Sequence, residues 1–229
     1  MAARSYGQYC GVTRAVELVG ERWALLIIRD LLVGPRRYTD LKQGLPRIPT
    51  NILSTRLKEL QEGGVVRRVP LARCGLVYEL TPYGRALEPL MLELGRWGFQ
   101  TMGEPAEGDI VTADSLTMAL RTAFRADRAV GTCLDIELHV GDVALRARVR
   151  DGILSVAQLA PPAPPVGGAL PGGEAEAVIV AGPGIRRLIG GEITAGEAIA
   201  QDIAAVVRGA EEALERFAIL FRIERIAVP

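Results

Sequence analysis

The clearest chemistry in the chain lies in the run Thr50-Asn51-Ile52-Leu53-Ser54-Thr55-Arg56-Leu57-Lys58. Wound at about 100° per residue, Leu53, Leu57 and Leu60 fall on one face of a helix. Asn51, Ser54, Thr55 and Lys58 cluster on the opposite face. An amide, two hydroxyls and one cation are the groups that read base edges in a major groove wide enough for a helix. Asn bonds adenine bidentately, and Ser or Thr serves several bases. An ordinary amphipathic helix with a solvated face has the same pattern, so this helix alone leaves both readings open.

Its neighbours carry the matching positive charge. Arg36, Arg37, Tyr38 and Thr39 stand at the start of a short preceding helix, where side chains and helix-terminal N–H groups meet phosphates. Arg67, Arg68 and Arg73 lie on or near a hairpin that would track the DNA backbone as a wing, or simply form a solvated loop.

Other reactive residue types are sparse. The three cysteines, Cys10, Cys74 and Cys133, are too widely spaced for a zinc site or a disulfide framework. Cys10 reads as a buried inert thiol. Cys74 is expected to be exposed, and Cys133 reads as core. His139, the single histidine, points outward from its strand without a nucleophile beside it. Asp135 and Glu137 share that face and are expected to be solvated. Gly182-Pro183-Gly184 imitates a phosphate loop but lacks both the third glycine, where Arg187 stands, and a following lysine, so it reads as a turn. No catalytic residue, cofactor or metal is expected.

The elements that must position these groups follow from periodicity. Residues 12–33 form two largely apolar helices meeting near Gly20 and stopped by Gly34-Pro35. A short helix (38–44), the turn LPRIP (45–49) and the helix at 50–62 come next, ended by Gly63-Gly64. VVRRV (65–69) and LVYEL (76–80) form the hairpin. Thr81-Pro82 starts a helix whose Leu87, Leu90, Leu94 and Trp97 make a narrow stripe for a partner helix, with Pro89 disturbing its first turns. Residues 103–112 read as a linker.

The series CGVTRAVELVGERWALLIIRDLLVGPRRYTDL, LPRIPTNILSTRLKELQEGGVVRR and YELTPYGRAL, closed by Trp97, resembles the HxlR-type regulators over about residues 9–100. The resemblance implies a winged helix-turn-helix and a homodimer built through the helix after YELTPYG, binding double-stranded DNA at a palindromic operator. It places Thr50, Asn51, Ser54, Thr55 and Arg56 on the recognition helix; on the wheel, Arg56 lies toward the buried flank. It also puts Cys10 at the position some members use as a thiol sensor, a chemistry that needs a thiolate and that Arg14, one turn on, is placed to assist. Gly11 replaces the family's usual Pro after that cysteine, and the wing, PLARCG, is short.

Beyond the linker the pattern changes. A helix at about 114–126 presents Leu116, Leu120 and Phe124. CLDIELHV, VALRARV and ILSVAQL alternate as strands joined by the two-residue turns Gly141-Asp142 and Asp151-Gly152. A Pro/Gly-rich loop (160–173), a strand (175–181), two short helices, a further strand (203–207) and a helix at 210–222 follow. The stretch AEAVIVAGPGIRRLIGGEITAGEAIAQDIAAVVRGAEEALERFAILF resembles sterol-carrier-protein-type domains. That resemblance implies an apolar cavity for a hydrophobic small molecule, with Leu116, Leu120, Phe124, Leu138, Leu145 and Phe217 as candidate lining residues. The alternative is that they fill a dry core.

The expected fold is therefore α+β. Residues 1–104 form a winged helix-turn-helix, mostly α with a β-hairpin wing. Residues 105–229 form a sterol-carrier-like antiparallel sheet with helices. Charge divides at the same point. Residues 1–104 hold 15 Arg and Lys against 10 Asp and Glu, and residues 105–229 hold 12 against 17, so a net charge of zero conceals a basic half and an acidic half. No apolar run is long enough for a membrane span and the N-terminus has no signal-peptide core, which points to a cytoplasmic protein without a membrane partner. The expected function is a homodimeric DNA-binding transcription regulator, a repressor, controlled by a hydrophobic effector. The alternative is a carrier of hydrophobic ligands dimerised by its N-terminal half.

Overall fold

The computed structural model describes residues 5–71, 75–159 and 173–226, and the chain divides into two compact units, the first running to Met91 and the second starting at Leu92. In the first unit, α1 (Gly11–Val19) and α2 (Arg22–Val33) lead into α3 (Tyr38–Gly44) and α4 (Thr50–Glu62). α2 is apolar on most sides because most of it is inside: Ala24, Ile27, Ile28, Leu31 and Leu32 are all buried. α4 turns Leu53, Leu57 and Leu60 into the same core, each with at most 1% of its surface exposed. Burying each leucine stabilises this docking by ~2 kcal/mol.

The wing is the antiparallel pair β1 (Val66–Leu71) and β2 (Gly75–Leu80), in the register Val66↔Leu80 and Val69↔Val77. Val66, Val77 and Leu80 anchor its base in the core. Arg36 adds a short bridge to Tyr78, with backbone bonds of 2.9 and 2.7 Å. Arg73 and Cys74 lie outside the described residues.

The helix expected after Thr81-Pro82 is two helices, α5 (Pro82–Arg85) and α6 (Glu88–Phe99). The Thr81 hydroxyl accepts from the Gly84 N–H and donates to the Gly64 carbonyl, a cap that fixes the chain's exit from the wing. Gly84 is dictated by space, because a Cβ there would sit 2.2 Å from the Val65 carbonyl oxygen. Pro89 falls in the first turn of α6, where its missing N–H has no helical partner to lose. The chain breaks at Ala86–Leu87 rather than kinking.

The second unit holds the latter part of α6, α7 (Ala113–Ala123), β3 (Leu134–Val140), β4 (Val143–Arg150), β5 (Ile153–Gln158), β6 (Ala177–Ala181), α8 (Ile185–Ile189), α9 (Ala195–Ala200), β7 (Ala204–Arg208) and α10 (Glu212–Leu220). The strands form one sheet in the order β5-β4-β3-β6-β7. The expectation of an antiparallel sheet is corrected here: β6 runs parallel to β3, with Ile136 opposite Ala177. Eighteen residues separate β5 from β6, enough for the crossover that a parallel pair requires. Alternation of apolar residues reveals a strand's buried face but not its direction. At the β4–β5 turn, Asp151 and Gly152 both have positive φ, 48° and 79°, as a two-residue hairpin of primed type demands.

One face of this sheet is apolar. Leu134, Ile136, Leu138, Leu145, Ala147, Val149 and Ile179 pack in one core with Leu120, Leu214 and Phe217 from α7 and α10. The other face carries charge. Asp135 and Glu137 were expected to be solvated, but Asp135 is held by two arginines. Arg146 donates through Nε at 2.7 Å and Nη2 at 3.0 Å, and Arg148 through Nε at 2.7 Å. Burial pushes the Asp135 carboxyl up; the bonds and charge of the two guanidiniums outweigh this and hold it below the usual carboxylate range. Cys133, expected in the core, is exposed just ahead of β3. Among the described residues no helix is long and apolar enough to cross a membrane.

Candidate nucleic-acid interface

Side chains of α3 hold both α4 and the turn that leads into it. Lys42, on α3, donates from Nζ to the carbonyls of Pro46 at 3.0 Å and Ile48 at 2.8 Å, so one ammonium closes the turn between the helices. Tyr38 Oη donates to the Thr50 carbonyl at 2.9 Å. Sequence reasoning missed Lys42, whose one signal is a lysine four residues ahead of a proline-containing turn. Arg47, in that turn, was also missed, and its exposure puts a further cation beside α4.

α4 begins at Thr50 after Pro49 and has no acidic residue in its first turn. The positive end of its peptide dipoles is therefore not neutralised from within the helix. Thr50, Asn51, Ser54 and Lys58 are exposed and Thr55 is half-buried. Lys58 lies 3.7 Å from Glu62, with 78% and 66% of the two side chains exposed, a pairing weak enough to leave the ammonium available. Ser54 Oγ and Thr55 Oγ1 bond back to the carbonyls of Thr50 and Asn51, at 3.1 and 2.8 Å.

The flanking cations divide into two groups. Arg37 and Thr39, at the start of α3, are exposed, and the Arg37 N–H donates to Asp40 Oδ2 at 2.8 Å. Arg36, expected to meet phosphates, is corrected: it is 3% exposed, and its guanidinium donates to the Pro35 carbonyl at 2.9 Å. Its backbone joins the wing, which draws its side chain inward. Arg56 is tied to Glu59 and lies 3.8 Å from Glu21 on the buried flank of α4. Tyr38 is half-buried with its hydroxyl turned to α4. On the wing, Arg67 pairs with Glu79 across the hairpin at 2.6 Å. The exposed Arg68 lies over the Tyr78 ring, 5.8 Å from its centre.

Two further candidate sites lie elsewhere. Cys10 is exposed rather than buried and stands at the N-cap of α1. Hydrogen bonds from the backbone of Thr13 and Val12 and from the Thr13 side chain pull its thiol below the ordinary range. Arg14, the cation expected to assist, pairs instead with Glu17 at 3.4 Å. In the second unit, Leu116, Leu120, Leu138, Leu145 and Phe217 belong to the continuous core, and the half-buried Phe124 packs against it. Phe124 approaches Phe221 with ring centres 5.8 Å apart, and Phe217 stacks on Phe221 at 4.8 Å.

Residues 18–105 match the model of the HxlR-like helix-turn-helix family. The chain is 38% identical over 86 residues to YvaP, an uncharacterized HTH-type transcriptional regulator of Bacillus subtilis (strain 168), covering 37% of this chain and 80% of that protein. It is 36% identical over 88 residues to the B. subtilis HTH-type transcriptional regulator YodB, covering 38% of this chain and 79% of YodB. To the uncharacterized HTH-type regulator Mb3122 of Mycobacterium bovis it is 43% identical over 96 residues, 41% of this chain and 60% of that protein's length. The family match spans the segment that folds as helix, turn, helix and wing, and the chain belongs to the HxlR-like helix-turn-helix family.

Proposed function

We propose that this chain is a transcription regulator that binds double-stranded DNA sequence-specifically, as a homodimer on a palindromic operator, and acts as a repressor. The observation that carries the reading is the face of α4, which offers Asn51, Ser54, Thr55 and Lys58 outward beside an unneutralised helix N-terminus. Arg37, Thr39 and the wing's Arg68 are exposed around the same helix. In this arrangement α4 enters the major groove, Asn51 reads a base edge, and the flanking cations take phosphates. YvaP and YodB, regulators by name, are similar to this chain over 86 and 88 residues.

The homodimer reading is supported by α6, where Leu90, Leu94 and Trp97 are 51%, 40% and 73% exposed along one stripe. Control is assigned to the second unit and to Cys10. The order strand, two short helices, strand and final helix supports the sterol-carrier-like reading of that unit. Its candidate lining residues already touch one another, so a hydrophobic effector binds there by parting a packed core. Such a ligand couples to DNA binding only if it favours one conformation over the other.

The test compares two substitutions on a panel of related duplexes. Asn51→Ala is expected to change which sequence binds best, with losses of about 1–3 kcal/mol confined to sites carrying its base. Arg37→Ala is expected to weaken all duplexes alike and to lower the salt dependence by about one counterion. A uniform loss from Asn51→Ala removes it from base readout.

A further inference from the structure

The hydroxyl protons on the exposed face of α4 are already engaged. Thr55 Oγ1 donates to the Asn51 carbonyl at 2.8 Å. Ser54 Oγ lies 3.1 Å from the Thr50 carbonyl and 3.2 Å from Tyr38 Oη, which itself donates to that carbonyl at 2.9 Å. A hydroxyl has one proton and two acceptor lone pairs. With the proton turned onto the helix's own backbone, or onto the tyrosine, each side chain offers the outside a lone pair. Turning the Ser54 proton outward gives up a bond that Tyr38 and the Thr50 carbonyl both stand ready to accept. For Thr55 the carbonyl one turn back does the same.

We propose that Ser54 and Thr55 are acceptors only, so that this helix selects bases bearing an exocyclic amine in the major groove. Those amines are adenine N6 and cytosine N4; thymine O4 and guanine O6 present an acceptor to an acceptor and are disfavoured. The donors on this face are the Asn51 amide N–H, which suits a purine N7 and with its own carbonyl reads adenine, and the Lys58 ammonium, which is left to serve guanine. Tyr38 becomes a positioning residue: its hydroxyl fixes the polarity of Ser54 and is withdrawn from the phosphates that the sequence alone had assigned to it. The inference rests on the reading of the chain as a sequence-specific DNA binder and states which base chemistry that site prefers.

The experiment selects duplexes from a randomised pool with the full-length protein. It then replaces each adenine of the winning duplex by purine and each cytosine by 2-pyrimidinone, which lack the amine. At one position the wild type is expected to lose about fivefold, the worth of one net hydrogen bond, while Ser54→Ala loses nothing there. Thr55→Val is expected to show the same indifference at a second position. Tyr38→Phe, which keeps the ring, is expected to narrow the gap between amine and keto bases at the Ser54 position while leaving the other positions unchanged. Equal losses for wild type and Ser54→Ala at every substituted base overturn the proposal. So does a Ser54-dependent position that selects guanine or thymine. A pool that yields no enriched sequence removes the sequence-specific reading itself, and this inference with it.

Discussion

Cys10 shows how a single position changes meaning once its surroundings are known. A cysteine in apolar company is inert, but here the thiol is exposed and accepts hydrogen bonds at the start of a helix. A lowered thiol pKa means more thiolate at neutral pH than a free cysteine has, so alkylation sets in at lower pH. The rate of iodoacetamide labelling at Cys10 is expected to rise through a midpoint below about 8.5, the ordinary thiol value. Thr13→Val, which removes the one hydroxyl bond to the thiol, is expected to move the midpoint up; an unchanged midpoint near 8.5 in the wild type contradicts the assignment. Residue types were legible in the sequence, but their partners were not. Arg36 and Arg37 are adjacent arginines, yet only the backbone bridge to Tyr78 reveals that the first turns inward. Likewise, nothing in the spacing of Asp135, Arg146 and Arg148 showed that one carboxylate would hold two guanidiniums across neighbouring strands.

At the scale of elements the sequence was more informative. The 3.6-residue period and the glycine stops placed α4 at Thr50–Glu62, and the alternating runs placed the strands of both units. What periodicity does not encode is direction and continuity. It missed the parallel pairing of β6 with β3, which depends on the path of a long connection, and it joined α5 to α6 across a break. α6 carries its own consequence. Leu94 and Trp97 are exposed on a helix that is otherwise anchored by Met91 and Phe99, each 8% exposed. Replacing either exposed side chain by Glu spares that anchoring and places a charge in the proposed dimer seam. Sedimentation at micromolar concentration is expected to show a dimer for the wild type and a monomer for Leu94→Glu or Trp97→Glu, with operator affinity falling in parallel. An unchanged mass for both variants removes α6 from the interface.

For the whole molecule, the sequence divides by charge at residues 104 and 105, whereas the two compact units of the structure meet at Met91 and Leu92. A basic first half contains the helix-turn-helix and wing, while an acidic second half builds a sheet with a packed apolar core. The groups proposed to face DNA were legible because α4 carries its polar side chains on one face, opposite Leu53, Leu57 and Leu60. The groups proposed to meet an effector were less so, because Leu120, Leu138, Leu145 and Phe217 have the same pattern whether they line a cavity or fill a core, and here they are fully buried. The central claim, sequence-specific DNA binding, is tested most directly by titrating the full-length protein against its own promoter region and against random duplex DNA at physiological salt. Binding to the promoter is expected to be at least about 1000-fold tighter, with affinity for both duplexes falling as salt rises. Equal affinity for the two would contradict it.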